Sequence, residues 1–135
     1  MFVIDASVTM AWCFADEATS GTEAVLDQFT GDEAVVPAVW PLEVANVLLV
    51  AERRLRLTEA QASRFLDLLQ QLPISVDGAP TDLAAVIAAG RRHELSSYDA
   101  SYLVLAERTG APLATLDRRL ADAATRAGVR LLVPG

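Results

Sequence analysis

Short β-rich apolar runs alternate with longer stretches of helical periodicity along this chain, and no other feature limits its fold as tightly. Phe2-Val3-Ile4, Ala34-Val35-Val36 and Ile74-Ser75-Val76 read as strands, as do Pro112 to Leu116 and Leu131 to Val133. Between them the apolar spacing is helical. A short helix runs through Ala11 and Phe14. Ser20 with Glu23 three residues later forms a capping pattern that opens a helix ending near Phe29. Val39 to about Arg54 is an unusually apolar helix, in which Pro41 is tolerated because it falls in the first turn. Thr58 with Gln61 opens another helix, which buries Ala62, Phe65, Leu66 and Leu69. Thr81 can cap one through Leu83, Val86 and Ile87 that ends near Gly90. Ser96 and Ser97 precede a helix holding Leu103, Leu105 and Ala106 that stops at Gly110, and a last helix spans Arg118 to Arg126. Strands that alternate with helices form parallel sheets covered on both faces, so the expectation is an α/β fold of three layers, α/β/α, with a mainly parallel sheet of about four to five strands. At 135 residues the chain is the size of one domain, taken as 1–135.

Composition excludes several functions. Hydrophobic residues make up 53%, enough to fill a layered core, yet no apolar run reaches the roughly 18 residues that a membrane span needs. Met1 leads into Phe2-Val3-Ile4 without a basic segment, so no signal peptide is expected and the cytoplasm is the expected location. Cys13 is the only cysteine, which excludes an internal disulfide and a cysteine-rich zinc site; its apolar neighbours fit core packing. With 18 acids against 11 basic residues the net charge is −7, so any nucleic-acid binding must be local or metal-assisted. All eleven basic residues are arginine, and chemistry that depends on a lysine is ruled out.

Most of the acids suit loops or first helical turns, where negative charge complements the helix dipole. Four stand apart. Asp5 follows the first strand and Asp117 follows Leu113-Ala114-Thr115-Leu116, the places where open parallel sheets gather ligands. Each also suits a helix cap, Asp5 for the helix beginning at Ala6 and Asp117 for the one beginning at Arg118. Glu43 is the only charge between Val39 and Val50, and it shares a helix face with Asn46. A carboxylate on so apolar a helix needs either a metal or a buried arginine partner. Asp99 opens the helix from Tyr98, where it also fits a capping box with Ser96. If all four face one crevice, like charges ~4 Å apart repel by roughly 4 kcal/mol at an effective dielectric near 20. Such a group persists by taking up protons or a cation. Oxygen donors without nearby His or Cys suit magnesium or manganese and do not suit zinc.

The segments Ile4-Asp5-Ala6-Ser7, Pro41-Leu42-Glu43-Val44-Ala45-Asn46-Val47-Leu48, Tyr98-Asp99-Ala100-Ser101-Tyr102-Leu103 and Leu113-Ala114-Thr115-Leu116-Asp117-Arg118-Arg119-Leu120 occur in this order. Together they resemble the PIN domain, and within it the VapC toxins of type II toxin–antitoxin pairs; the likeness spans essentially the whole chain. The resemblance implies an endoribonuclease dependent on magnesium or manganese. Its acids match Asp5, Glu43, Asp99 and Asp117, with Ser7, Asn46 and Thr115 at the supporting polar positions. It further implies a homodimer, an RNA substrate hydrolysed by metal-activated water, and a VapB-type antitoxin that blocks the site, often with an arginine. Backbone charge on the RNA must meet arginine; Arg118 and Arg119, directly after Asp117, are candidates, while Arg91-Arg92 reads more as a solvated helix face. His93 reads as a surface residue, and Trp12 and Trp40 as core or dimer residues. The apolar stripe from Val44 to Val50 exceeds one buried face and hints at a subunit contact.

Rival readings fare less well. A haloacid-dehalogenase-type phosphatase wants an aspartate where this chain has Ser7 and usually a lysine, and a receiver domain fails by the same missing lysine. No Gly-Lys phosphate loop is present. A non-catalytic RNA-binding inhibitor of translation would keep arginines and could dispense with clustered acids.

Overall fold

The computed structural model describes residues 1–132. Four parallel strands, β1 (Phe2–Ile4), β2 (Ala34–Val36), β3 (Ile74–Val76) and β4 (Leu113–Ala114), pair in the order β3-β2-β1-β4. Parallel neighbours need crossovers, and helices supply them. Helices α1 (Ala6–Ala11) and α2 (Ser20–Asp27) join β1 to β2, α3 (Val39–Arg53) and α4 (Glu59–Gln70) join β2 to β3, and α5 (Leu83–His93) and α6 (Ser97–Thr109) join β3 to β4. Helix α7 (Arg118–Arg126) follows.

Strand side chains alternate between faces, and each face finds its own cover. Val3, Val35 and Leu113 pack with Tyr102, Leu103 and Ala106 of α6 and with Leu120 and Ala123 of α7. Phe2, Ile4, Ala34, Val36 and Ala114 pack on the other side with Val8 of α1 and Val25 of α2. The result is three layers, α/β/α, as expected. A third cluster lies between helices, where Val44, Leu48 and Ala51 of α3 meet Ala62, Phe65 and Leu69 of α4 against Met10 and Phe14. The chain leaves β1 toward β2 on one side, and β4 later lands on the other. The strand order therefore reverses at β1, which opens a crevice beyond the carboxyl ends of β1 and β4.

Several boundaries differ from the sequence expectation. β4 ends at Ala114 rather than Leu116, and Leu131 forms only an isolated bridge to Leu113; Val133, the expected end of the last strand, lies outside the described residues. Helix α2 is capped by Thr19 with Thr22, not by Ser20 with Glu23. Thr22 is fully buried and its carbonyl accepts from Trp12 Nε1 at 2.8 Å, so tertiary contact selects the earlier of two overlapping patterns. Asp82, not Thr81, caps α5. That helix also runs through Gly90 to His93, placing Arg91, Arg92 and His93 in its last turn. Gly90 is there for space: a Cβ would stand 3.1 Å from the Leu95 carbonyl. The Thr58–Gln61 capping box and the left-handed Gly110 cap form as expected. No helix among the described residues is long and apolar enough to cross a membrane.

Candidate functional site

Asp5 leaves β1 and caps α1, its Oδ1 accepting from the Val8 amide at 3.1 Å. Its backbone amide donates to the Ala114 carbonyl at 3.2 Å, which fixes the ends of β1 and β4 side by side. Ser7 Oγ donates to Asp5 Oδ1 at 2.6 Å, and the buried Thr115 hydroxyl donates to Asp5 Oδ2. The same hydroxyls tie in the chain after β4: Ser7 Oγ accepts from the Leu116 amide at 2.9 Å, and Thr115 Oγ1 accepts from the Asp117 amide at 3.0 Å. Asp117 in turn caps α7, its Oδ1 accepting from the Leu120 amide at 3.1 Å. Both aspartates are thus the caps that the sequence allowed, and capping is what fixes them at the crevice.

Asp99 enters from α6. Its amide donates to the Ser96 hydroxyl at 3.1 Å, placing its side chain in the first turn. Glu43 enters from α3, half-buried, with a partner that differs from the arginine expected as the alternative to a metal. The Tyr102 hydroxyl donates to Glu43 Oε1 at 2.5 Å. Tyr102 is missed by sequence reasoning, although it lies one helical turn after Asp99 and so shares that face. A second unforeseen link runs from Trp40 Nε1 to Thr9 Oγ1 at 3.0 Å, and from the Thr9 hydroxyl to the Asp5 carbonyl at 2.9 Å. It ties the first turn of α3 to the end of β1, and gives Trp40 an architectural role.

The electrostatics join the four acids. Burial pushes the Asp5 carboxyl up to about 6, against the lowering pull of its Ser7, Thr115 and Val8 donors, and the Asp99 charge adds to the rise. Asp99 is raised by burial, then by the charges of Asp117 and Glu43, with Ser96 pulling the other way. Tyr102 is pushed far up by burial and by its hydrogen bond to Glu43, so its hydroxyl keeps its proton. No arginine or histidine is among the groups that shift Asp5 or Asp99. The ion pairs among the described residues lie elsewhere: Met1 with Asp32, Arg56 with Asp16 and Glu17, and Arg108 with Asp77.

The acids share a field without forming a cage. Among the described residues, no three His, Cys, Asp or Glu side chains converge tightly enough to enclose a metal ion. An oxygen-only donor set of this openness fits magnesium, which binds through one or two carboxylates and keeps several of its waters. It fits zinc poorly, since zinc favours closed tetrahedral shells with nitrogen or sulfur. Of the other expected residues, Asn46 is exposed one turn beyond Glu43 and takes no part in this network, and Arg118 and Arg119 are exposed in the first turn of α7. A cavity of about 1120 Å³ lies away from this chemistry: Arg92, His93, Arg108 and Arg126 are among its lining residues, and none of the four acids is. His93 is therefore not simply a surface residue; its Nδ1 is buried without a partner.

Comparison with known proteins places the fold in a family. Residues 2–126 match the PIN domain family. The chain is 34% identical over 122 residues to the Ribonuclease VapC3 of Pyrobaculum aerophilum, covering 89% of this chain and 92% of that one. The crystal structure of PAE2754 from the same organism superposes with a TM-score of 0.68 at 28% identity, over 90% of this chain and 83% of that one. A toxin–antitoxin complex from Klebsiella pneumoniae contains a chain with the same fold, at a TM-score of 0.61 and 15% identity, with 87% of each chain covered.

Proposed function

This chain belongs to the PIN-domain family, in its VapC ribonuclease branch, and from that premise we propose that it is a divalent-metal-dependent endoribonuclease, the toxin of a type II toxin–antitoxin pair. One observation carries the metal. Asp5, Glu43, Asp99 and Asp117 act on one another's charge or on Tyr102, with no cation of the protein among the groups that shift Asp5 and Asp99. Magnesium, with manganese as the substitute, is the cation of choice for such oxygen donors.

Asp5 and Asp99 are the inner ligands in this reading, with Glu43 and Asp117 completing the acidic rim. When bound there, the ion supplies Lewis acidity toward the scissile phosphodiester and makes water more acidic, in support of hydrolysis. The protein's own part is orientation. Ser7 and Thr115 fix both oxygens of Asp5, and the cap contact from Leu120 fixes Asp117. Arg118 and Arg119 follow Asp117 directly and offer guanidinium groups to the RNA backbone. The acidic crevice also suits inhibition by an antitoxin arginine, and Leu42 and Leu49, exposed one heptad apart on α3, offer apolar surface for a homodimer. RNA in the cytoplasm is the proposed substrate.

The test is cleavage of labelled RNA by the purified protein with magnesium, with EDTA, and with Asp99→Asn. Fragments are expected only with the metal and wild-type protein, while Asp99→Asn keeps its circular dichroism spectrum. Undiminished cutting in EDTA, or by Asp99→Asn, overturns the proposal.

A further inference from the structure

The four acids are not held alike. Asp5 and Asp117 are N-cap residues, gripped by the free amides of their own helices, and Asp99 lies in a first turn beside Ser96. Glu43 is different. It is the fifth residue of α3, past the last backbone amide that a helix leaves unpaired, so its carboxylate must find a donor elsewhere. Ala38, at the cap position of that helix, offers no side-chain hydrogen bond. Its neighbours Leu42, Ala45 and Asn46 are exposed and give it no wall.

Among the described residues, one donor reaches Glu43. Tyr102 is wholly buried, its ring packed in the cluster that contains Val3, Leu103 and Leu120, with Val39 and Trp40 against it. A buried phenol needs a polar partner, and Glu43 Oε1 is the one it has, 59 residues away in sequence. The ring sits in a packed layer and so points its hydroxyl in one direction. Tyr102 is also one turn from Asp99 on α6. The same rigid helix therefore presents one acid itself and holds another from across the crevice.

We propose that Tyr102 is a positioning residue: its hydroxyl fixes the Glu43 carboxylate in one orientation relative to Asp99 and leaves Oε2 to face an ion or its waters. The metal part of this rests on the nuclease reading above; the positioning part stands without it. Outer partners of this kind change metal affinity by about 10–100-fold when removed.

The variant is Tyr102→Phe, which keeps the ring and deletes the donor, with the exposed Tyr98→Phe as its control. Two quantities are read: Glu43 side-chain rotamer averaging by NMR in metal-free protein, and Mn²⁺ affinity by calorimetry. Tyr102→Phe is expected to release Glu43 into several rotamers and to weaken Mn²⁺ binding by about tenfold or more. Tyr98→Phe is expected to match wild type in both. A single unchanged Glu43 rotamer in Tyr102→Phe overturns the proposal. If Tyr102→Phe does not fold, the contact is read from the other side, in wild type against Glu43→Ala. The Tyr102 hydroxyl proton should exchange slowly in wild type and rapidly in Glu43→Ala, and equal protection in the two overturns the proposal. Wild-type protein that neither binds Mn²⁺ nor cuts RNA refutes the nuclease reading alone, since the rotamer and exchange measurements need no metal.

Discussion

Replacing Asp5 by asparagine should stabilise the metal-free protein at neutral pH. Asp5 is only 5% exposed, and burial lifts its carboxyl from the ordinary 3.8 to about 6. A carboxyl raised in the folded state binds more protons there than in the unfolded chain between these two values, so stability falls as pH rises through that window. At about 1.4 kcal/mol per pKa unit, the charged form costs roughly 3 kcal/mol, fully felt above pH 6 and absent below about 3.8. Asparagine removes the charge and keeps an oxygen for the Val8 amide; its NH₂ can donate to the Thr115 hydroxyl, which rotates to accept. Urea unfolding in EDTA should therefore find Asp5→Asn more stable than wild type by up to about 3 kcal/mol at pH 7.5, with the gap narrowing toward pH 4. In thermal scans that corresponds to roughly 10 °C. Manganese should reverse the order. An ion at about 1,000 times its dissociation constant stabilises the folded state by about 4.1 kcal/mol, more than the variant's lead, and the variant should gain little of this. An Asp5→Asn protein less stable than wild type by the same amount at pH 5 and pH 7.5 would refute the reasoning, because it would mean that the hydroxyl donors already satisfy the charge.

Two further outcomes follow from single contacts. Thr58→Ala removes one half of the capping box on α4 and should cost about 1 kcal/mol in urea unfolding without altering RNA cleavage. Arg118→Ala with Arg119→Ala should weaken RNA binding about equally across sequences and lower the salt slope of log affinity by up to about 1 per arginine that touches phosphate; an unchanged slope removes both from the RNA path.

The parts of this fold that sequence reveals are those decided locally. Phe2-Val3-Ile4 is apolar on both faces and must be a central strand, and Gly110 alone suits the left-handed end of α6. Thr58 and Gln61 have no rival pattern nearby. Where two patterns overlap, local rules do not choose between them. Thr19 prevails over Ser20 because of a buried contact with Trp12, 10 residues before Thr22 in the chain. Gly90 looks like a helix end, yet it serves a close approach to Leu95, and Glu94 adopts the left-handed turn instead. The site follows the same division. Asp5 and Asp117 are legible because strand ends and cap positions are local. The hydroxyl that reaches Glu43 is not, because it crosses 59 residues and depends on how α6 lies against α3.

Capping and ion binding compete as explanations for Asp5 and Asp117, but their energies leave room for both. A helix N-terminus favours a nearby negative charge by about 0.3–1 kcal/mol, and α1, α6 and α7 each present one to this crevice. Two carboxylates within 4 Å repel by roughly 4 kcal/mol at a dielectric near 20, and even at twice that distance by about 2. Three helix ends therefore offset only part of the mutual repulsion of four acids. They are sufficient to orient the carboxylates and insufficient to neutralise them; burial first, and the neighbouring charges after it, push Asp5 and Asp99 upward. A neutral network would have ended with the caps; this one keeps uncompensated negative charge, which protons meet at low pH and which, in the proposed nuclease, a divalent cation would meet at neutral pH.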